Sequence, residues 1–166
     1  MTNERAKIVG RLGVRGLDAA HLVLSDPVLA RSPFIRALGD RAESVLEESR
    51  VYRLRPDGVA FASGRPADSV ILVAAGEISV RVAGEAEGIV AGTVPVGEIT
   101  GAEAALGHAE RISTATATGE AVVVAIPVSA FADLLTDGSP LAECLLAAKD
   151  RDASAADDMA DFLDRW

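Results

Sequence analysis

Apolar and polar residues alternate with a period of two over Ile78-Ser79-Val80-Arg81-Val82, the pattern of a strand with one buried face. Two denser runs, Val70-Ile71-Leu72-Val73 and Val122-Val123-Val124-Ala125-Ile126, are short and rich in β-branched residues, which fits strands buried on both faces. Turn chemistry punctuates them at Arg55-Pro56-Asp57-Gly58, Ser63-Gly64-Arg65-Pro66, Ala75-Gly76 and Gly84-Glu85-Ala86-Glu87-Gly88. The pattern predicts about eight short strands in a jelly-roll-like or β-roll arrangement. Helical spacing flanks them: Phe34, Leu38, Val45 and Leu46 mark a helical segment from Pro33 to Glu48, and another, Val128 to Leu135, follows Pro127. The fold class expected is mainly β with flanking helices.

After the strands the chain changes character. Ser139-Pro140 reads as an N-cap followed by proline at the first helical position, with Leu141, Leu145, Leu146 and Ala148 on the ensuing helix. A second helix start is expected at Ser154, with Asp157 three residues on. Met159, Phe162, Leu163 and Trp166 then form an i, i+3, i+4, i+7 stripe opposite a face that is almost all aspartate. That stripe either packs on the chain's own strands or covers a ligand or partner. At the other end Arg5, Lys7, Arg11 and Arg15 make a basic start, with Ile8, Leu12, Leu17, Leu22 and Leu24 as apolar anchors, while Gly10, Gly13 and Gly16 weaken any long helix. The expected division is an N-terminal extension over 1–30, a β-roll over 31–138 and C-terminal helices over 139–166.

With 166 residues, 49% of them apolar, the chain can bury one good core but hardly two. No apolar run approaches the roughly 20 residues of a membrane-spanning helix, and no signal-peptide block is present, so the expected setting is cytoplasmic. Cys144 is the only cysteine and His21 and His108 the only histidines, which leaves no intrachain disulfide and no zinc-ligand set. A cupin would share the strand pattern, but cupin enzymes need a histidine-rich metal site. A net charge of −9 disfavours generic attraction to nucleic acid or anionic membrane. No serine or cysteine has a recognisable activating base, and neither a P-loop nor a dinucleotide fingerprint occurs. The expectation is a protein that is not an enzyme and carries no cofactor or metal.

The most specific chemistry lies in Val96-Gly97-Glu98-Ile99-Thr100-Gly101-Ala102-Glu103-Ala104-Ala105-Leu106, continuing through His108 to Arg111-Ile112-Ser113-Thr114. It reads as a Gly-rich turn, one short helical turn beginning near Gly101, and an arginine opening a strand. Backbone N–H groups at such a turn and a bidentate guanidinium together suit a single phosphodiester. With its flanks, Pro56-Asp57-Gly58, Ala62-Ser63-Gly64, Ala67-Asp68 and Gly76-Glu77, the segment resembles the phosphate-binding cassette of cyclic-nucleotide-binding domains. These are the β-roll modules of catabolite activator proteins, cAMP-dependent kinase regulatory subunits and gated channels. The resemblance covers roughly residues 31 to 150, and Arg111 stands ten residues after Gly101, a common family distance to the phosphate-binding arginine.

The resemblance implies a double-stranded β-roll whose ligand, a cyclic nucleotide such as cAMP or cGMP, contacts Gly97, Glu98, Gly101, Ala102, Glu103, Ala104, Arg111, Ile112, Ser113 and Thr114. The family usually has glutamate directly after the cassette glycine, accepting from the ribose 2′-hydroxyl; here that position is Ala102, and Glu103 is one place late. In an ungapped alignment, Ala102→Glu should strengthen binding of a ribose-bearing ligand. Arg111 could also be a solvated strand-start arginine or pair with Glu103 or Glu110, and Glu98 could be a plain loop carboxylate that steadies the roll. The helices after the roll, with the Met159, Phe162, Leu163 and Trp166 stripe, correspond to the family's lid or dimer contact. The chain ends before a winged helix-turn-helix, so no DNA-reading module is expected. Two readings follow: a sensor that signals to a protein partner through its C-terminal helices, or a degenerate, non-binding roll serving as a homodimerising or adaptor module.

Overall fold

The computed structural model describes residues 11–13, 18–82 and 89–164, with side chains placed over 18–82 and 92–152. Nine strands are present among these residues: β1 (Arg11–Gly13), β2 (Arg50–Leu54), β3 (Val59–Phe61), β4 (Ser69–Ala75), β5 (Ile78–Val82), β6 (Ile89–Val94), β7 (Ile99–Thr100), β8 (Ser113–Ala117) and β9 (Ala121–Pro127). They form two antiparallel sheets, β1-β2-β9-β4-β7 and β3-β8-β5-β6, the layout of a roll. The ninth strand, β1, pairs with β2 from within the N-terminal extension.

The apolar runs are explained by two cores on opposite sides of the first sheet. Side chains along a strand alternate between faces. Ile71 and Val73 of β4, with Val123 and Ala125 of β9, therefore point into the roll, where they meet Leu54, Phe61, Ile78, Val80, Val94, Ala115 and Ala117. Val70, Leu72, Val124 and Ile126 face the other way, into a helical core with Val23, Leu29, Phe34, Leu46, Phe131, Leu141 and Leu145. Ser79, expected on an open face, is buried as well: β5 lies between β8 and β6, and Thr116 and Thr93 flank Ser79 in register.

Five helices build the second core. α1 (Ala19–Leu24), α2 (Pro27–Ala30) and α3 (Pro33–Leu38) each start at a capping side chain: Ala20 N donates to Asp18 Oδ1 at 2.9 Å, Val28 N to Asp26 Oδ1 at 2.8 Å, and Ile35 N to Ser32 Oγ at 3.2 Å. The helix expected from Pro33 to Glu48 is not continuous. Gly39, at φ +57°, ends α3, and a 3₁₀ turn (Gly39–Arg41) leads into α4 (Ala42–Glu47). After Pro127 two 3₁₀ turns, Val128–Ala130 and Ala132–Leu134, stand in place of the expected helix. These short turns let Phe131 drop fully into the helical core, edge-on to Phe34 at 5.6 Å between ring centroids.

α5 (Pro140–Asp164) begins as expected, with Ala142 N donating to Ser139 Oγ at 3.1 Å. The second start at Ser154 is overturned, because α5 continues through it. Serine and aspartate are tolerated inside a helix when nothing breaks the backbone, and no glycine or proline follows Pro140. α5 packs against α3, β6, β7 and the turn after β7. The turn at 84–88 and the basic residues Arg5, Lys7 and Arg15 lie outside the described residues, as does Trp166; Met159, Phe162 and Leu163 lie on α5, but their side chains are outside those described.

Gly76 is a test of the β4–β5 turn. Its φ is +77°, and a Cβ there would sit 2.4 Å from the Glu120 carbonyl oxygen and 2.9 Å from Ala121 Cα, both backbone atoms that cannot swing aside. Gly76→Ala is expected to lower stability by about 1–3 kcal/mol, read as an earlier urea midpoint at unchanged slope.

Candidate functional site

The segment singled out in the sequence is held by backbone bonds to β4. Gly97 N donates to Val73 O at 2.9 Å, Val73 N donates to Glu98 O at 3.0 Å, and β7 then pairs Ile99 with Leu72 and Thr100 with Ile71. Gly101, at φ +76°, turns the chain into a single 3₁₀ turn, Ala102–Ala105. The turn therefore follows directly on β7, and β8 opens at Ser113, two residues after Arg111. Arg111 itself is fixed from the far side: its N–H donates to Arg65 O at 2.7 Å, its carbonyl accepts from Gly64 N at 2.9 Å, and Ala67 N donates to Ala109 O at 2.9 Å.

The Arg111 side chain reaches back beneath the turn and is 4% exposed as a residue. Nη2 donates to Ser69 O at 2.6 Å and to Ser69 Oγ at 3.1 Å, while Nη1 donates to Gly101 O at 3.2 Å. The guanidinium carbon stands 4.3 Å from the centroid of the Phe61 ring. Nη1 also lies 3.8 Å from Glu103 Oε1, and that buried oxygen accepts no hydrogen bond from the described residues. Gly101 has no room for a side chain, since a Cβ would approach Arg111 Nη1 to 2.6 Å and Phe61 Cε1 to 3.0 Å.

Of the sequence-predicted residues, Gly101, Glu103 and Arg111 come together. Ala102 does not join them; it is fully buried in the helical core. The carboxylate beside the arginine is thus Glu103, one position later than the ungapped alignment expects. Ala104 is buried, Ile112 is exposed, Ser113 is buried at the start of β8, and Thr114 Oγ1 accepts from Ser63 N at 3.0 Å. Gly97 is buried in the loop before β7. Glu98 points to α5, where Arg151 Nη1 donates to its Oε2 at 2.9 Å on the surface.

Ser69, Phe61, Thr100 and Asp152 also belong to the site, and sequence reasoning missed them. Thr100 Oγ1 donates to Asp152 Oδ2 at 3.4 Å, linking β7 to α5. One turn back on α5, Lys149 Nζ lies 3.3 Å from His108 Nε2. Burial pushes the Asp152 carboxyl up to about 6, helped by the negative charges of Glu103 and, more weakly, Glu98; the Thr100 hydroxyl and Arg151 pull it down. An aspartate on an aspartate-rich helix carries no sequence signal of such a role.

Comparison with curated proteins gives no match. Solved structures give the fold. The sensor domain of the transcriptional regulator DNR from Pseudomonas aeruginosa superposes with a TM-score of 0.65 at 18% identity, over 79% of this chain and 88% of that one. Thermus thermophilus catabolite activator protein gives 0.62 at 21% identity, over 80% of this chain and 63% of that one, so the chain spans under two thirds of that regulator. The regulatory subunit of a cAMP-independent protein kinase A from Trypanosoma brucei gives 0.61 at 15% identity, over 71% of this chain and 43% of that one. Residues 46–137, more than half of the chain, match the cyclic nucleotide-binding domain family. With the roll, the Gly101 turn and the buried arginine in place, the chain belongs to the cyclic nucleotide-binding domain family.

Proposed function

We propose that the chain is a non-catalytic sensor acting in the cytoplasm, in which Arg111 anchors the phosphate of a cyclic nucleotide such as cAMP or cGMP, or a related phosphate ligand, and α5 passes the binding event to a protein partner. The observation that carries this reading is the Arg111–Glu103 pair, a buried cation and a buried carboxylate 3.8 Å apart beside the Gly101 turn. That separation exceeds a hydrogen bond, so the carboxylate is a loose internal counterion. A phosphate oxygen at ordinary hydrogen-bond distance would be a better partner for the guanidinium. The ligand would then replace Glu103 on Arg111, and α5, which touches the cassette through Glu98 and Thr100, would sense the exchange.

A thermal-shift panel of cyclic mono- and dinucleotides tests the reading. One ligand is expected to raise the melting temperature, and Arg111→Lys should reduce that shift, because lysine keeps the charge but loses the two-pronged guanidinium donor. The second reading, a non-binding roll used as a dimerising or adaptor module, is favoured by Ala102 standing where the family has its glutamate and facing the core. Removing residues 154–166 bears on both. The roll should stay folded while ligand affinity or oligomeric state changes, read by titration and light scattering; simple unfolding would make the end of α5 ordinary core.

A further inference from the structure

The cations around the cassette are not equally satisfied. Arg111 Nη1 lies 3.8 Å from Glu103 Oε1, and Arg151 Nη1 donates to Glu98 Oε2 at 2.9 Å. Lys149 differs: among the described residues no carboxylate pairs with its ammonium, which lies instead 3.3 Å from His108 Nε2, both side chains being half-buried. We propose that His108 and Lys149 form an anion subsite beyond the cassette turn, which takes a second phosphate group of the ligand whose first phosphate reaches Arg111. This deepens the sensor reading and rests on it for the ligand at Arg111, but not for the subsite itself.

The chemistry of the contact leaves an opening for an anion. An ammonium has three protons and no lone pair, so the imidazole nitrogen is the acceptor and one proton of Lys149 is used. An anionic oxygen serves a half-buried ammonium better, since a charge-assisted bond is about twice as strong as a neutral one. Moving the ring proton from Nδ1 to Nε2 changes no charge, and it makes both nitrogens donors. Two donors side by side, 3.3 Å apart, then suit the oxygens of one phosphate. Space lies next to them: a Cβ on Gly107, at φ +93°, would meet nothing within 4 Å. The carboxylates nearby do not compete. Glu98 is held by Arg151 and Asp152 faces Thr100 Oγ1 at 3.4 Å, while Glu110 and Asp150 are exposed and pair with neither His108 nor Lys149.

Hydrogen bonds place the subsite relative to Arg111. Arg111 Nη1 donates to the carbonyl of Gly101, the residue before the cassette turn, whereas His108 follows the turn and its N–H donates to Glu103 O at 3.2 Å. A cationic group therefore stands on either side of the turn, whose four residues Ala102–Ala105 advance by on the order of 8 Å. A cyclic mononucleotide has one phosphate and fills one of these places. A cyclic dinucleotide has two, and it is the chemical class that uses both. Because Lys149 belongs to α5, the second phosphate would also tie that helix to the cassette.

The test is isothermal titration of the full chain with cyclic di-AMP and with cAMP, alongside ¹⁵N NMR of the histidine rings. Cyclic di-AMP is expected to bind the wild type more tightly than cAMP and to move the His108 Nε2 signal into the range of a ring N–H. Lys149→Met should weaken cyclic di-AMP about tenfold or more, the worth of one charge-assisted contact, while leaving cAMP within about twofold. Lys149→Arg should recover most of that loss. The cAMP arm separates a direct contact from a looser α5: equal weakening of both ligands makes Lys149 a seat for the helix only and overturns the subsite. Cyclic di-AMP that binds no better than cAMP, or that leaves the His108 ring unmoved, overturns it too. If neither nucleotide binds, inorganic phosphate is the deciding probe. A shift of the His108 ring that Lys149→Met abolishes then keeps the subsite while the cyclic-nucleotide reading fails, and a ring that phosphate leaves unmoved overturns the subsite as well.

Discussion

Arg111→Ala is expected to lower the stability of the domain by about 3–5 kcal/mol, because it removes one partner of a buried ion pair and leaves the other, Glu103, without a compensating charge. The guanidinium is a junction between parts of the chain far apart in sequence. It ties Ser69 at the start of β4 to Gly101 at the start of the cassette turn, and it roofs the Phe61 ring of β3. Losing it also leaves Ser69 O, Ser69 Oγ and Gly101 O without this donor. Urea unfolding measures the loss. Arg111→Lys should cost less, since the charge remains and only the fork geometry is lost. The double variant Arg111→Ala, Glu103→Gln should be more stable than Arg111→Ala alone, since the orphan charge is then gone. If the double variant is no better, the pair contributes nothing and Arg111 acts through its hydrogen bonds alone.

Ala102→Glu is expected to destabilise the domain by on the order of 3 kcal/mol, rather than to improve a ligand site. Ala102 is fully buried in the core that holds Leu141 and Leu145, so a carboxylate there would meet apolar side chains and the packed face of α5. A buried carboxyl escapes part of this cost by protonation, so the deficit should shrink in mild acid, where the new group is neutral. Urea midpoints at pH 5 and pH 7.5 read this directly. A stable Ala102→Glu protein that binds a ribose-bearing cyclic nucleotide more tightly than wild type would restore the ungapped alignment and displace Glu103 from its role.

What the sequence made legible were the features governed by local rules. The runs at β4 and β9 read as doubly buried strands because alternation divides them between two cores. Ser139-Pro140 reads as a helix start because capping and the fixed proline φ act within one turn. Gly101 and Arg111 read as a candidate site through their resemblance to the phosphate-binding cassette, and the structure brings them together, with Arg111 Nη1 donating to Gly101 O. Two of the differences carry local signals, a glycine and a pair of aspartate caps, and the others depend on tertiary contacts. Gly39 was passed over as one residue inside a helical pattern, although its positive φ ends α3. Asp18 and Asp26-Pro27 cap α1 and α2 inside a stretch read as an extension, yet Val23 and Leu29 are fully buried. Between Ala102 and Glu103, periodicity offered no decision, because a single 3₁₀ turn directs neighbours to different faces and only the packed core shows which face is which. Ser69 comes to Arg111 from 42 residues earlier in the chain and Asp152 to Thr100 from the far helix, separations that no local pattern reports.

The central claim is that Arg111 is the anion anchor of a ligand-responsive site in which Glu103 is the resident counterion. The most direct measurement is isothermal titration of one folded panel, wild type, Arg111→Lys and Glu103→Gln, with cAMP, cGMP and cyclic dinucleotides at a fixed pH and salt. The account predicts that at least one ligand binds the wild type, that Arg111→Lys weakens it, and that Glu103→Gln strengthens it, because the ligand phosphate no longer has to displace a carboxylate. Ligand heat that is absent from all three folded proteins, or binding that is indifferent to both substitutions, would contradict it.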